Sequence, residues 1–279
     1  MKPFVRLMSL KTGRWSAGFV MIAVLAATLA PVLPIADPNA VSLSDKLLEP
    51  SLQHWLGTDS LGRDLLARLI WGARTTLLCA LGASLLTALF GALAGGFAAV
   101  AGRRASAAVM RLCDLWMSFP SEVLILAVVG MLGPGLENIV LACFAAKWPW
   151  YARMMHTIIS RHARAGFVDF ARVAGATKRW ILFGHLLPNA GGEFCVLATL
   201  DTAGVILMIS ALSFLGLGVS APTAEWGMML ADAKNVMTLY PWQMLPPGLA
   251  ILATAAALHF LGDALRDALD PALDAERSR

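Results

Sequence analysis

Charge is scarce in this chain: Lys, Arg, Asp and Glu make up 14% of its 279 residues, against roughly 25% in an ordinary soluble domain. Also missing are a phosphate-cradling G-x-x-x-x-G-K-[ST] loop, an H-E-x-x-H helix, a Ser within G-x-S-x-G and any C-x-x-C pair. No catalytic constellation is recognisable, so the chain does not read as an enzyme, and any work drawn from ATP would have to come through another polypeptide. The four cysteines (Cys79, Cys113, Cys143, Cys195) all stand inside apolar runs. They read as small core hydrophobes rather than as a disulfide framework or a metal-ligand set. There is no internal repeat, low-complexity tract or separate soluble domain.

Apolar residues are abundant instead, at 58% of the chain with a mean hydropathy of +0.69. The expectation is an all-α polytopic membrane protein. The net charge of +4 could suggest nucleic acid, but the basic residues cluster beside apolar runs, as membrane topology requires. Six transmembrane helices are expected, at about residues 15–35, 70–101, 107–131, 136–159, 191–214 and 244–261. The first comes after Lys2, Arg6, Lys11 and Arg14 and could be a signal peptide. Its length of about 20 residues favours an uncleaved span. Fifteen Lys and Arg fall on one side of this arrangement and four on the other, which places both termini in the cytoplasm. Small residues in the second span, including Gly91-x-x-x-Gly95, suit close helix approach, and Pro120 should kink the third.

Between the fourth and fifth spans lies a charged stretch, Phe167 to Asn189. It reads as helix, turn, helix at a membrane surface, with Gly175 bending the chain and Pro188 stopping the second helix. Asp169-Phe170-Ala171, Gly175 after three residues, and His185-Leu186-Leu187-Pro188 nine residues later resemble the cytoplasmic loop of binding-protein-dependent ABC importer permeases. Phe170 stands where that family has alanine, and Asp169 where it has glutamate. A second segment, His54 to Asp64 (HWLGTDSLGRD), is similar to the opening of the C-type subunit of dipeptide, oligopeptide and nickel permeases. Physically, Gly57 and Gly62 allow turns there, while Asp59, Arg63 and Asp64 can pair and cap the next helix; the whole of 37–68 is expected outside.

The resemblance implies a type I ABC importer permease fold: residues 1–52 as an amino-terminal segment with the first span, and 53–279 as a five-span core with a coupling loop at 161–189. It further implies Asp169, Phe170, Ala171, Arg172, Gly175, His185 and Pro188 as the ATPase-coupling residues. The implied partners are a homologous permease forming a heterodimer, two cytoplasmic ATP-binding subunits that hold the ATP and Mg, and an extracytoplasmic solute-binding protein, all at a bacterial inner membrane. Nickel or a nickel chelate is the cargo implied by segments 148–153, 197–202 and 221–227, with a dipeptide or oligopeptide as the alternative.

Ionisable groups inside spans are functional candidates because each is costly there. Asp201, His259 and His156 are the candidates for a translocation path. Asp201 could equally bond to a Ser, Thr or Arg of a neighbouring helix. Met154, Met155, Met208, Met228, Met229, Met237 and Met244 invite a soft-metal path, but thirteen methionines in so apolar a chain are explained by adaptable packing. A membrane-embedded enzyme using Asp201 and His259 would show activity in the purified chain alone, and a passive channel would give ATP-independent flux and leave the coupling loop without a purpose.

Overall fold

Asp64 sets the frame by starting the longest helix: its carboxylate accepts the Ala67 amide at 2.8 Å, capping the end of a 36-residue run. The computed structural model describes residues 3–269, and the regular elements among them are helices, with no named strand. In chain order the helices are α1 (Pro3–Ser9), α2 (Lys11–Leu29), α3 (Leu65–Val100), α4 (Arg103–Met117), α5 (Ser121–Leu132), α6 (Leu136–His162), α7 (Gly166–Val173), α8 (Lys178–Ile181), α9 (Leu187–Phe214), α10 (Trp226–Lys234) and α11 (Leu245–Leu269).

Four elements are long and apolar enough to cross a bilayer: 11–32, 65–100, 178–214 and 241–269. A fifth is formed if α4 and α5 count as one broken span. Pro120 does more than kink this one, because the two halves diverge by 76°. At 12 residues α5 alone is about 18 Å long, short of the roughly 30 Å hydrocarbon core. Helix α6 is long enough, but Glu137, Lys147, Arg153 and Arg161 lower its hydropathy.

Close approach organises the bundle. A Cβ on Gly91 would fall 2.3 Å from the Tyr151 Cβ, and one on Gly95 would fall 2.0 Å from the Ala152 carbonyl oxygen. Helices α3 and α6 therefore touch backbone to backbone, as small residues permit where lipid offers no hydrophobic incentive to associate. One apolar core joins α3, α5, α6, α9 and α11, and a second joins the carboxyl half of α6 to α7, α8 and the start of α9.

At the end opposite α7 and α8, the segment before α3 folds against α10 through charge. Arg63 Nε meets Asp59 at 2.6 Å, and its Nη2 reaches Asp232 at 3.0 Å. Gly57 and Gly62 take positive φ, as their turns require. Arg68 lies in the first turn of α3, and only 1% of it is accessible. It joins both acids, at 3.5 and 3.6 Å, and donates to the carbonyls of Pro38 and Pro222. Two cations and two anions balance there. Glu225, also buried, accepts from the Thr76 hydroxyl and the Met228 amide, both at 2.9 Å.

In thermal melts of the purified protein, Gly95→Leu should destabilise the fold by about 1–3 kcal/mol through overpacking, whereas the same change at Gly82, which has nothing within 4 Å of its Cβ position, should leave the melt unmoved. Arg68→Ala should cost about 1–3 kcal/mol, because it leaves Arg63 alone to balance Asp59 and Asp232 and removes the donor to the Pro38 and Pro222 carbonyls.

Candidate functional site

Helix α7 has two faces. Val168 and Ala171 are buried against Ile158, Ile159, Ile181 and Leu182, while Phe170 is 77% and Val173 88% exposed. Asp169 is on the exposed side. Arg172 belongs to the same helix, and its side chain falls outside the described residues. The helix ends in a Schellman turn: the Ala176 amide donates to the Ala171 carbonyl at 3.0 Å, with Gly175 at φ +83°. A side chain at 175 meets no atoms, yet the backbone conformation favours glycine. Thr177 then caps α8, accepting from the Trp180 amide at 3.3 Å.

The turn encloses a concavity of about 640 Å³ lined by Phe167, Phe170, Gly175, Trp180 and His185 among others. His185 is edge-on to Trp180 at 4.5 Å and lies 6.1 Å from the Phe167 ring. Exposed Phe170, Trp180 and Phe183 beside exposed Lys178 and Arg179 form an apolar patch with a basic rim, the composition of a protein-docking surface.

Pro188 does not stop the second helix. The chain is continuous from Lys178 to Phe214, 37 residues, because residues Leu182–Leu186 form a π-helical turn. The Leu187 amide donates to the Leu182 carbonyl, one residue further back than in an α-helix. That offset lets the ladder pass a residue without an N–H. The span begins well before residue 191 as a result.

Asp201 projects from α9 toward two residues of α6. Lys147 Nζ lies 2.5 Å from Oδ1, and the Tyr151 hydroxyl donates to Oδ2 at 2.8 Å. Lys147 and Tyr151 are four apart on α6 and so share a face. Neither is the Ser, Thr or Arg partner expected from sequence. Placing either charge at a helix centre costs about 2.5–3.5 kcal/mol on insertion scales, and pairing across adjacent helices offsets part of this. The pair forms one wall of a recess of about 380 Å³ closed by the α4–α5 elbow, which contributes Met117, Phe119, Pro120 and Glu122, and by Trp150.

The histidines lie elsewhere. His156 Nε2 and the Ser106 Oγ are 2.9 Å apart, tying α6 to α4. His259 is exposed on α11. Neither lines the recess. Sequence reading missed Lys147, Tyr151 and Glu122. The available signal was that opposite charges in consecutive spans, Lys147 and Asp201, have few partners but each other.

Residues 87–275 match the protein family described as binding-protein-dependent transport system inner membrane component. The chain is 41% identical over 272 residues to the nickel transport system permease protein NikC of Escherichia coli K12, covering 96% of this chain and 98% of that one. It is 37% identical to the metal-staphylopine import system permease protein CntC of Staphylococcus aureus NCTC 8325, covering 97% and 94%. It is also 40% identical to the di/tripeptide transport system permease protein DppC of Pseudomonas aeruginosa UCBPP-PA14, covering 91% and 86%. In fold it is similar to a chain of the inward-facing MetNI methionine ABC transporter, with a TM-score of 0.60, 17% identity, and coverage of 74% of this chain and 98% of that one.

Val168→Asp should release α7 from its core. Limited proteolysis within residues 163–177 is expected to accelerate several-fold while the other helices stay protected; unchanged protection would mean that Val168 is not the anchor.

Proposed function

The chain belongs to the family of binding-protein-dependent transport system inner membrane components, and we propose that it is the membrane-spanning permease subunit of an ATP-driven importer of nickel or a metal chelate. The observation that carries this reading is mechanical. Trp180 and His185, which form one side of the concavity, and the carboxylate of Asp201 lie on one continuous element, with Lys178 and Phe214 as its ends. At 1.5 Å per residue, Lys178 and Asp201 are about 35 Å apart along it. A partner that pulls on the basic end shifts the wall of the recess.

In this reading six helices span the bacterial inner membrane, α6 being the sixth at about 40 Å, and both termini are cytoplasmic. The core is 53–279, and α2 is an accessory span. The concavity receives an ATP-binding subunit. Phe170, Gly175 and His185 shape it, Ala171 holds α7 down, Asp169 and Arg172 belong to its helix, and Pro188 comes just after the π turn. ATP and Mg reside in two such partner subunits. A homologous permease completes the path as a heterodimer, and an extracytoplasmic solute-binding protein delivers cargo to the outer end.

Metal cargo is favoured by identity of 37–41% to the nickel and metal-staphylopine permeases along nearly the whole chain. The di/tripeptide permease, at 40%, supports a peptide as the second reading.

Uptake of radioactive nickel, alone and with histidine, compared with a labelled dipeptide in cells with and without this gene, separates the two. Gene- and ATP-dependent nickel uptake is expected; dipeptide uptake without any metal effect would assign the peptide reading. Gly175→Val should retain ATP hydrolysis by the complex but cut uptake roughly tenfold, since a non-glycine left-handed residue costs about 1–2 kcal/mol and reshapes the turn. Normal uptake by a well-expressed variant would contradict the coupling role.

A further inference from the structure

The recess beside Asp201 carries both signs of charge. Lys147 and Asp201 are partly accessible, at 19% and 17% of their side chains, and both face into it. Glu122 enters from the α4–α5 elbow, with the Ser121 hydroxyl donating to it at 3.0 Å. Trp150 supplies an apolar wall. One ammonium stands among two carboxylates.

A buried ion pair is by itself weak evidence of a stabilising role. Replacing buried ion pairs by apolar groups of similar volume is often neutral or stabilising, and an ionic pair retained inside a span beside a cavity points to a role with a ligand. The volume, about 380 Å³, suits a small organic molecule rather than a lone ion. A bare divalent cation would meet the Lys147 ammonium. A carboxylate would find its partner there.

We propose that Lys147 sets the charge pattern of the cargo by exchanging partners. In the empty recess its ammonium is held by Asp201. An entering carboxylate takes the ammonium, and Asp201, still oriented by the Tyr151 hydroxyl, turns its freed charge with Glu122 toward the cationic part of the cargo. No proton moves and no covalent bond changes. The recess therefore admits a molecule bearing a carboxylate and a cationic centre within a few ångströms, which describes both a peptide zwitterion and a metal ion held by an amino-carboxylate chelator. This rests on the permease reading, with the pair lining the path.

The test uses the complete transporter in proteoliposomes with ATP, the binding protein being saturated with each probe in turn. The probes are alanyl-alanine and alanyl-alaninamide, then radioactive nickel with histidine, with histidinamide, and alone. The wild type should transport the carboxylate member of the responsive pair at least tenfold faster than its amide. Whether the peptide or the nickel pair responds identifies the source of the carboxylate. In Lys147→Met/Asp201→Asn, which removes both charges together, the ratio should fall toward one, and Lys147→Arg should keep it. Equal rates for carboxylate and amide in the wild type, a result that needs no variant to fold, would overturn the proposal. So would an unchanged ratio in the double variant. Absence of any ATP-dependent uptake by the wild type is a different failure, of the permease reading itself.

Discussion

One hydrogen bond offset by a single residue, from the Leu187 amide to the Leu182 carbonyl, keeps a 37-residue helix whole where proline would otherwise interrupt it. Everything proposed about coupling depends on that continuity. A broken helix at Pro188 would separate a cytoplasmic hairpin from a membrane span, and motion of one need not reach the other. With the ladder intact, the aromatic surface at one end and the Asp201 carboxylate near the middle move together, since a helix resists axial compression and π turns are rare features that recur at functional positions.

A lever needs a frame. At the far end of the molecule the frame is ionic: Asp59, Arg63, Arg68 and Asp232 lock the segment before α3 onto α10. Along the length of α3 and α6 it is steric, since Gly91 and Gly95 leave no gap against Tyr151 and Ala152. Near the basic end the frame loosens. There α7 is held chiefly by Val168 and Ala171, and further along, beside the recess, the α4–α5 elbow bends by 76°. Stiffness at one end and articulation at the other suit an element that is displaced from the basic side.

Much of this was legible before the fold was known. Asp59, Arg63 and Asp64 were expected to pair and cap, and they do, because these interactions are local in sequence. Gly175 was expected to turn the chain, and its φ is positive. The failures share a cause: each depends on what another helix supplies. Pro188 reads as a stop on local rules, and the π turn that absorbs it has no sequence mark. Arg68 was expected in an outer segment, and nothing local in sequence shows that Asp232, 164 positions away, helps to bury it. Asp201 was recognised as unusual, but its partners sit on α6 and the elbow, and no periodicity reveals which faces of two helices meet. His259, a weaker candidate than Asp201, lies on an exposed face of α11 and does not line the recess.

The most direct test of the lever is a distance along it. Spin labels at Lys178 and Leu207, both exposed and about 44 Å apart on a straight helix, straddle the π turn, with Cys195 replaced to avoid unwanted labelling. A third label at Leu93 on α3 provides a fixed reference. In the assembled transporter, pulsed electron spin resonance should show the 178–207 distance unchanged between nucleotide-free and ATP-trapped states while the 93–207 distance shifts. A 178–207 distance that shortens or splits on nucleotide binding would place a hinge at 182–186 and contradict transmission through a continuous helix.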